Sequence, residues 1–214
     1  MTGLLQKEFY IFKSISKTYL IIWCCFALAT VFQFYMPSFF VVITTFLFGM
    51  LPITTMKQDE LSRWTVFAAA TPATRAGIVN AKYLFGVLGC LLALAGNLAL
   101  VTALSLAGRL EESVPLGILL FLAVIMFTLA LVFQALLLPI NFRFGTQKGS
   151  IAMIVIAAGG AGAIIAILSV AEVEPATYSF APSPWLLVPL LLIGFLALCL
   201  SKKISSGIMK KKEL

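Results

Sequence analysis

Six long apolar stretches, with an island of charge between the second and third, limit what this chain can become. They cover residues 19–36, 38–56, 84–107, 116–140, 151–171 and 184–201. Each approaches the roughly 17–25 residues that a helix needs to cross a hydrocarbon core. A mean hydropathy of +1.10 and 62% hydrophobic residues leave too little polar surface to coat a soluble globule. The expected fold is an all-α integral membrane protein with six transmembrane helices in one membrane domain, 1–214. Its parts are an interfacial amphipathic helix (1–18), a first transmembrane hairpin (19–56), a charged cytoplasmic segment (57–83), spans three to six (84–201) and a basic cytoplasmic tail (202–214).

The net charge of +7 reads as topology. With a cytoplasmic N-terminus, every lysine and arginine except Arg109 falls on the inner side, the asymmetry that orients membrane helices. Both termini are then cytoplasmic. The basic excess suits anionic lipid headgroups, and nucleic acid is not an expected partner. Cys24, Cys25, Cys90 and Cys199 fall inside the spans, away from an oxidising aqueous face, and the chain has no histidine. They read as packing residues, with no metal site. The turn Gly145-Thr146-Gln147-Lys148-Gly149-Ser150 has the wrong glycine spacing for a phosphate loop and reads as a short basic connection.

In the first eighteen residues Leu4, Leu5, Phe9, Ile11, Phe12 and Ile15 share one helical arc, with Gln6, Lys7, Tyr10, Lys13 and Lys17 opposite. Such a helix lies in the headgroup plane. Glu8 breaks the pattern by projecting into the apolar arc. It either reaches interfacial water or meets an arginine from a cytoplasmic loop or a second subunit.

No Asp, Glu, Lys, Arg or His occupies the centre of a span, whereas ion-coupled carriers and intramembrane hydrolases need such groups. The polar residues that remain, among them Gln33, Thr44, Thr45, Asn97 and Gln134, bond between helices or line a route. Phe34 and Phe48 belong to the phenylalanine-rich first hairpin. A route walled by such residues suits amphipathic or lipophilic cargo, and lipid-facing packing explains them equally well. The small-residue run from Ala157 to Ala163 favours close helix packing, and Pro52 and Pro189 should kink their spans. The segment 172–185, rich in proline and aromatics, is expected to fold back as an external lid.

The island at 57–83 is the strongest signal. Gln58, Asp59 and Glu60 supply acceptors and negative charge suited to a helix start, with Leu61, Trp64 and Ala68 recurring on one face. Proline disfavours helical geometry in its predecessor, so Thr71-Pro72 should end that helix and begin another carrying Arg75 and Lys82 into the third span. A short amphipathic helix joined to a membrane helix by an elbow is a lever.

The opening Gly3-Leu4-Leu5-Gln6-Lys7-Glu8-Phe9-Tyr10, the six-span layout, and Asp59-Glu60-Leu61-Ser62-Arg63-Trp64 followed by Thr71-Pro72, Arg75, Val79 and Lys82-Tyr83 resemble permease subunits of bacterial type-2 ABC exporters. The closest resemblance is to those exporting phenol-soluble modulins or antimicrobial peptides. It implies a permease without catalytic residues, in a bacterial plasma membrane. Two cytosolic ATPase subunits would carry ATP and Mg2+, and a second permease copy or paralogue would complete the complex. It further implies that Asp59, Glu60, Leu61, Arg63, Trp64, Phe67, Thr71, Pro72, Arg75 and Lys82 couple to the ATPase. Read from the residues alone, a non-transporting assembly or immunity protein and a passive channel remain as alternatives.

Overall fold

A computed structural model describes residues 2–64, 75–109, 116–156, 185 and 187–211. Among these the chain is helical and without strands: α1 (Thr2–Val31), α2 (Pro37–Gly49), α3 (Leu51–Leu61), α4 (Arg75–Leu106), α5 (Leu116–Phe144) and α6 (Leu187–Lys211). Among the described residues, five helical passages are long and apolar enough to cross a membrane, with α2 and α3 together forming the second. The stretch 151–171 is described only to residue 156, as helix continuing from 146. The expected lid is likewise outside the described residues, apart from an exposed Trp185.

α4 touches every other helix, and α1 and α6 flank it from different sides. One core joins Met56, Val79, Cys90, Phe127, Leu131 and Leu138. A second, formed by Val41, Val101, Leu119 and Ala123, closes the opposite end. The two partners α5 and α6 run parallel: Gly194 lies against Thr128 and Leu131, and the Ser201 hydroxyl donates to the Ala135 carbonyl. Ser201 and Ser205 also bond the Tyr83 hydroxyl on α4. This brings the start of α4 and the ends of α3, α5 and α6 to one end of the bundle, together with the start of α1.

Several expectations change. The segment expected to lie flat, 1–18, is not a separate element, because α1 runs unbroken from Thr2 to Val31. No glycine or proline interrupts residues 4–31, and Glu8 is drawn into the bundle. The first span ends at Val31 rather than 36, where Gln33 takes a left-handed φ of 61° and the Phe34 N–H closes back on Ala29. Pro37 then starts α2, giving the tight hairpin expected. Pro52 does break the second span, at Met50. Pro189 lies in the first turn of α6 as described, not in the middle of a span. The tail expected beyond 201 is helical to Lys211.

Gly194 permits the close α5–α6 approach, since a Cβ there would come 3.0 Å from Thr128 Cγ2. Gly194→Leu should lower stability in mild detergent by about 1–3 kcal/mol, the usual cost of overpacking, measured by unfolding against Gly207→Leu, a site with open space around it.

Candidate functional site at the charged end of the bundle

The end of the bundle that gathers both described termini holds four charges from three helices. Lys82 on α4 is 2% exposed. Its ammonium donates to Glu8 of α1 and to the Thr55 hydroxyl at 2.8 and 2.9 Å, and lies 2.7 Å from Asp59 Oδ2 of α3. Lys7 completes the group, 3.1 Å from Glu8 Oε1, paired with Asp59 Oδ1 and 5.0 Å above the Trp64 ring. Two ammoniums and two carboxylates sum to zero. A buried ion costs several kcal/mol unless its geometry and partners are good, and here each charge meets two of opposite sign.

Each side chain owes its place to a local feature. On α1, Phe9 and Phe12 pack edge-on against Phe85 of α4, at 6.1 and 6.0 Å between ring centres, which turns the neighbouring Glu8 inward. On α3, Asp59 lies in the last turn, where a carboxylate opposes the helix dipole; the two lysines offset that penalty. On α4, Lys82 follows Ile78 and Val79 on the buried face.

The next residue holds a different element. Glu60 accepts from the Thr146 N–H at 2.8 Å and from its hydroxyl at 2.5 Å. Gly145, at a φ of +84°, makes the turn after α5, and Glu60 acts as the side-chain cap of the helical segment that follows. Adjacent carboxylates on α3 thus clamp it to α1 and α4 on one side and to residues 145–146 on the other.

The expected site is partly redrawn. Gln58, Asp59 and Glu60 do not begin a helix; they end α3, whose last bonds run from the Ser62 N–H to Gln58 and from the Arg63 N–H to Glu60. Arg63 then takes a φ of 52°, the left-handed position that usually closes a helix. The break at Met50 frees α3 to continue the second passage past the apolar run, so the charges fall at its end. Leu61, expected on a packed face, is 72% exposed. Asp59 and Lys82 face inward, while Trp64 is half-buried. Phe67, Thr71 and Pro72 lie outside the described residues, as does the Arg75 side chain. Glu8 is 2% exposed, and its partners among the described residues are Lys82, 74 residues away, and its neighbour Lys7. No short-range signal names such a partner, although an acid on an apolar arc requires one.

The polar residues considered for a route are scattered. Gln33 and Phe34 are exposed in the turn at the far end of the bundle. Thr44, Thr45 and Asn97 are buried, with Asn97 Nδ2 donating to Thr45 Oγ1 at 3.0 Å between α4 and α2. Phe48 packs edge-on against Tyr19. Among the described residues, no cluster of His, Cys, Asp and Glu could hold a metal ion.

A family model described as ABC-2 family transporter protein matches residues 3–210. No curated protein and no solved structure matches the chain.

Lys82→Met should destabilise the protein by about 3–5 kcal/mol, since it leaves two buried carboxylates sharing Lys7. Adding Glu8→Gln should recover part of that loss, measured as a double-mutant cycle in detergent. Strictly additive effects would mean that the two side chains are not energetically coupled.

Proposed function

The chain belongs to the ABC-2 family of transporter proteins, and we propose that it is the membrane-spanning half of an ATP-driven exporter for amphipathic or lipophilic cargo. As a membrane permease of an ABC transporter it works with an ATPase subunit that is a separate chain. The reading places two such subunits, with their ATP and Mg2+, at the charged end of the bundle, and pairs the permease with a second copy or paralogue in a bacterial plasma membrane. That end is then cytoplasmic, consistent with the lysines and arginines gathered there. Peptide toxins, antimicrobial peptides and drugs are the cargo class that an aromatic-rich first hairpin without fixed charge suits.

The observation that carries the reading is the joint of Glu8, Asp59, Lys82 and Lys7. A transporter driven from outside the membrane needs a point where force on a surface segment reaches several spans. This joint ties α1, α3 and α4 together, and the segment leading from it begins with the exposed Ser62 and Arg63 and the half-buried Trp64. Motion imposed on Trp64 and the residues after it moves α3, and through the joint two further helices. Arg63 and Arg75 flank that segment as charges for docking.

The test is co-purification of the permease with an ATPase, followed by transport and ATP hydrolysis in proteoliposomes. Trp64→Ala should insert normally but lose coupling, with an interface cost of roughly 2–4 kcal/mol for a buried aromatic anchor. Arg75→Glu should weaken partner docking, with a salt dependence that Trp64→Ala lacks. Unchanged coupling in both variants would remove the segment from the mechanism, and ATP hydrolysis indifferent to the permease would end the exporter reading.

A further inference from the structure

The second passage is interrupted at membrane depth, and the groups around the interruption are specific. Pro52 has no N–H to offer the Phe48 carbonyl. The Ile53 N–H turns to Met50 at 3.1 Å instead of to Gly49, four residues back. A backbone carbonyl freed in hydrocarbon needs a donor. Gln134 of α5, fully buried, supplies it: Nε2 donates to the Gly49 carbonyl at 2.9 Å and reaches the Gly86 carbonyl of α4 at 3.3 Å.

Two glycines of α4 seat the interruption. A Cβ at Gly86 would lie 2.6 Å from Gln134 Oε1 and 3.2 Å from Pro52 Cγ. One at Gly89 would lie 3.0 Å from the Phe48 carbonyl oxygen. Among the described residues, Gln134 Oε1 has no hydrogen-bond partner. The amide is therefore only half satisfied in this geometry, and a second arrangement that brings it a donor is open to it.

We propose that Gln134 is a positioning residue of the transport cycle: it pins a hinge at Gly49–Pro52 about which α3 swings relative to α2. α3 is then an arm of about 16 Å, pinned at one end by an amide and gripped at the other by Asp59 and Glu60. The role in transport rests on the exporter reading; the hinge itself does not.

The experiment places nitroxide labels at Val42→Cys on α2 and Gln58→Cys on α3, both exposed, in the full-length permease in nanodiscs. Cys24, Cys25 and Cys199 are replaced and the fully buried Cys90 is kept. A straight helix would separate the labelled backbone positions by about 24 Å. The parent should give one shorter distance that shifts when the co-purified ATPase binds nucleotide. Gln134→Met should broaden the distribution and reduce cargo moved per ATP while partner binding persists. Pro52→Ala, which restores the missing donor, should collapse the distribution toward the straight-helix distance and abolish the nucleotide shift. Gly86→Ala, which crowds the amide from the other side, provides the same readout if Gln134→Met fails to fold.

A parental distribution in well-folded Gln134→Met and Pro52→Ala would overturn the hinge. A distance that responds to the substitutions but never to nucleotide, with hydrolysis still coupled to transport, would make Gln134 a static brace and overturn its role in the cycle. Label distances that respond as expected in a protein that stimulates no ATPase would sink the exporter reading and leave the hinge standing.

Discussion

An ammonium at 2% exposure is the constraint around which the charged end is built. Lys82 is held by acceptors on two other helices, all within 2.7–2.9 Å, and removing it from water is favourable only while they stay there. The positions of α1, α3 and α4 at this end are therefore set together. The same requirement decides how the chain begins. Glu8 meets Lys82 from a helix that runs unbroken to Val31, so the joint fixes the start of α1 against α4. The amphipathic pattern of residues 4–17 describes a helix with one side against α4 and Lys13 and Lys17 on its exposed side.

Away from that end, uncharged polar groups join the described helices, and the Arg109 guanidinium donates to the Val31 carbonyl at 3.0 Å. Amides and hydroxyls cost less to bury in hydrocarbon than ions, and their interhelical bonds contribute about 0.6–2 kcal/mol each. Asn97 joins α4 to Thr45, and Gln134 joins α5 to α2 and α4. Glycines make both the close contacts and the give: Gly86 and Gly89 at the break, Gly194 between α5 and α6. The result is an end joined by paired charges and a centre joined by individually weaker contacts.

Much of this was legible in the sequence, because apolar length is set by the membrane itself. The passages, the α1–α2 turn and the break caused by Pro52 follow from such local rules. What was not legible depends on register between distant segments. Asp59 and Glu60 look like a helix start because acids favour N-termini, yet they end α3, where Lys7, Lys82 and Thr146 reward them instead. Pro189 looks like a kink until the start of α6 is known, two residues before it. Gln134 was visible as a polar residue in an apolar run, but its partner is a backbone carbonyl exposed by a proline 82 residues earlier in the chain. Composition says that such a residue needs a partner; only packing says which.

The four charges are not equally buried, and this suggests where a partner would act on them. The Lys7 side chain is 18% exposed, against 2–6% for Glu8, Asp59 and Lys82. Lys7 also divides its interactions between both carboxylates and the Trp64 ring, so it links the buried set to the residues that follow α3. A protein docked over Trp64 would remove water from Lys7 first. Lower local dielectric strengthens the pull of both carboxylates on that ammonium and raises the cost of separating them. Docking at the surface would thus tighten the grip on the outer end of α3 without changing the hydrocarbon around Gly49 and Gln134. In the proposed hinge, an arm stiffened at one end and supported by an under-satisfied amide at the other would move where it is weaker, at membrane depth beside the carbonyl that Gln134 holds.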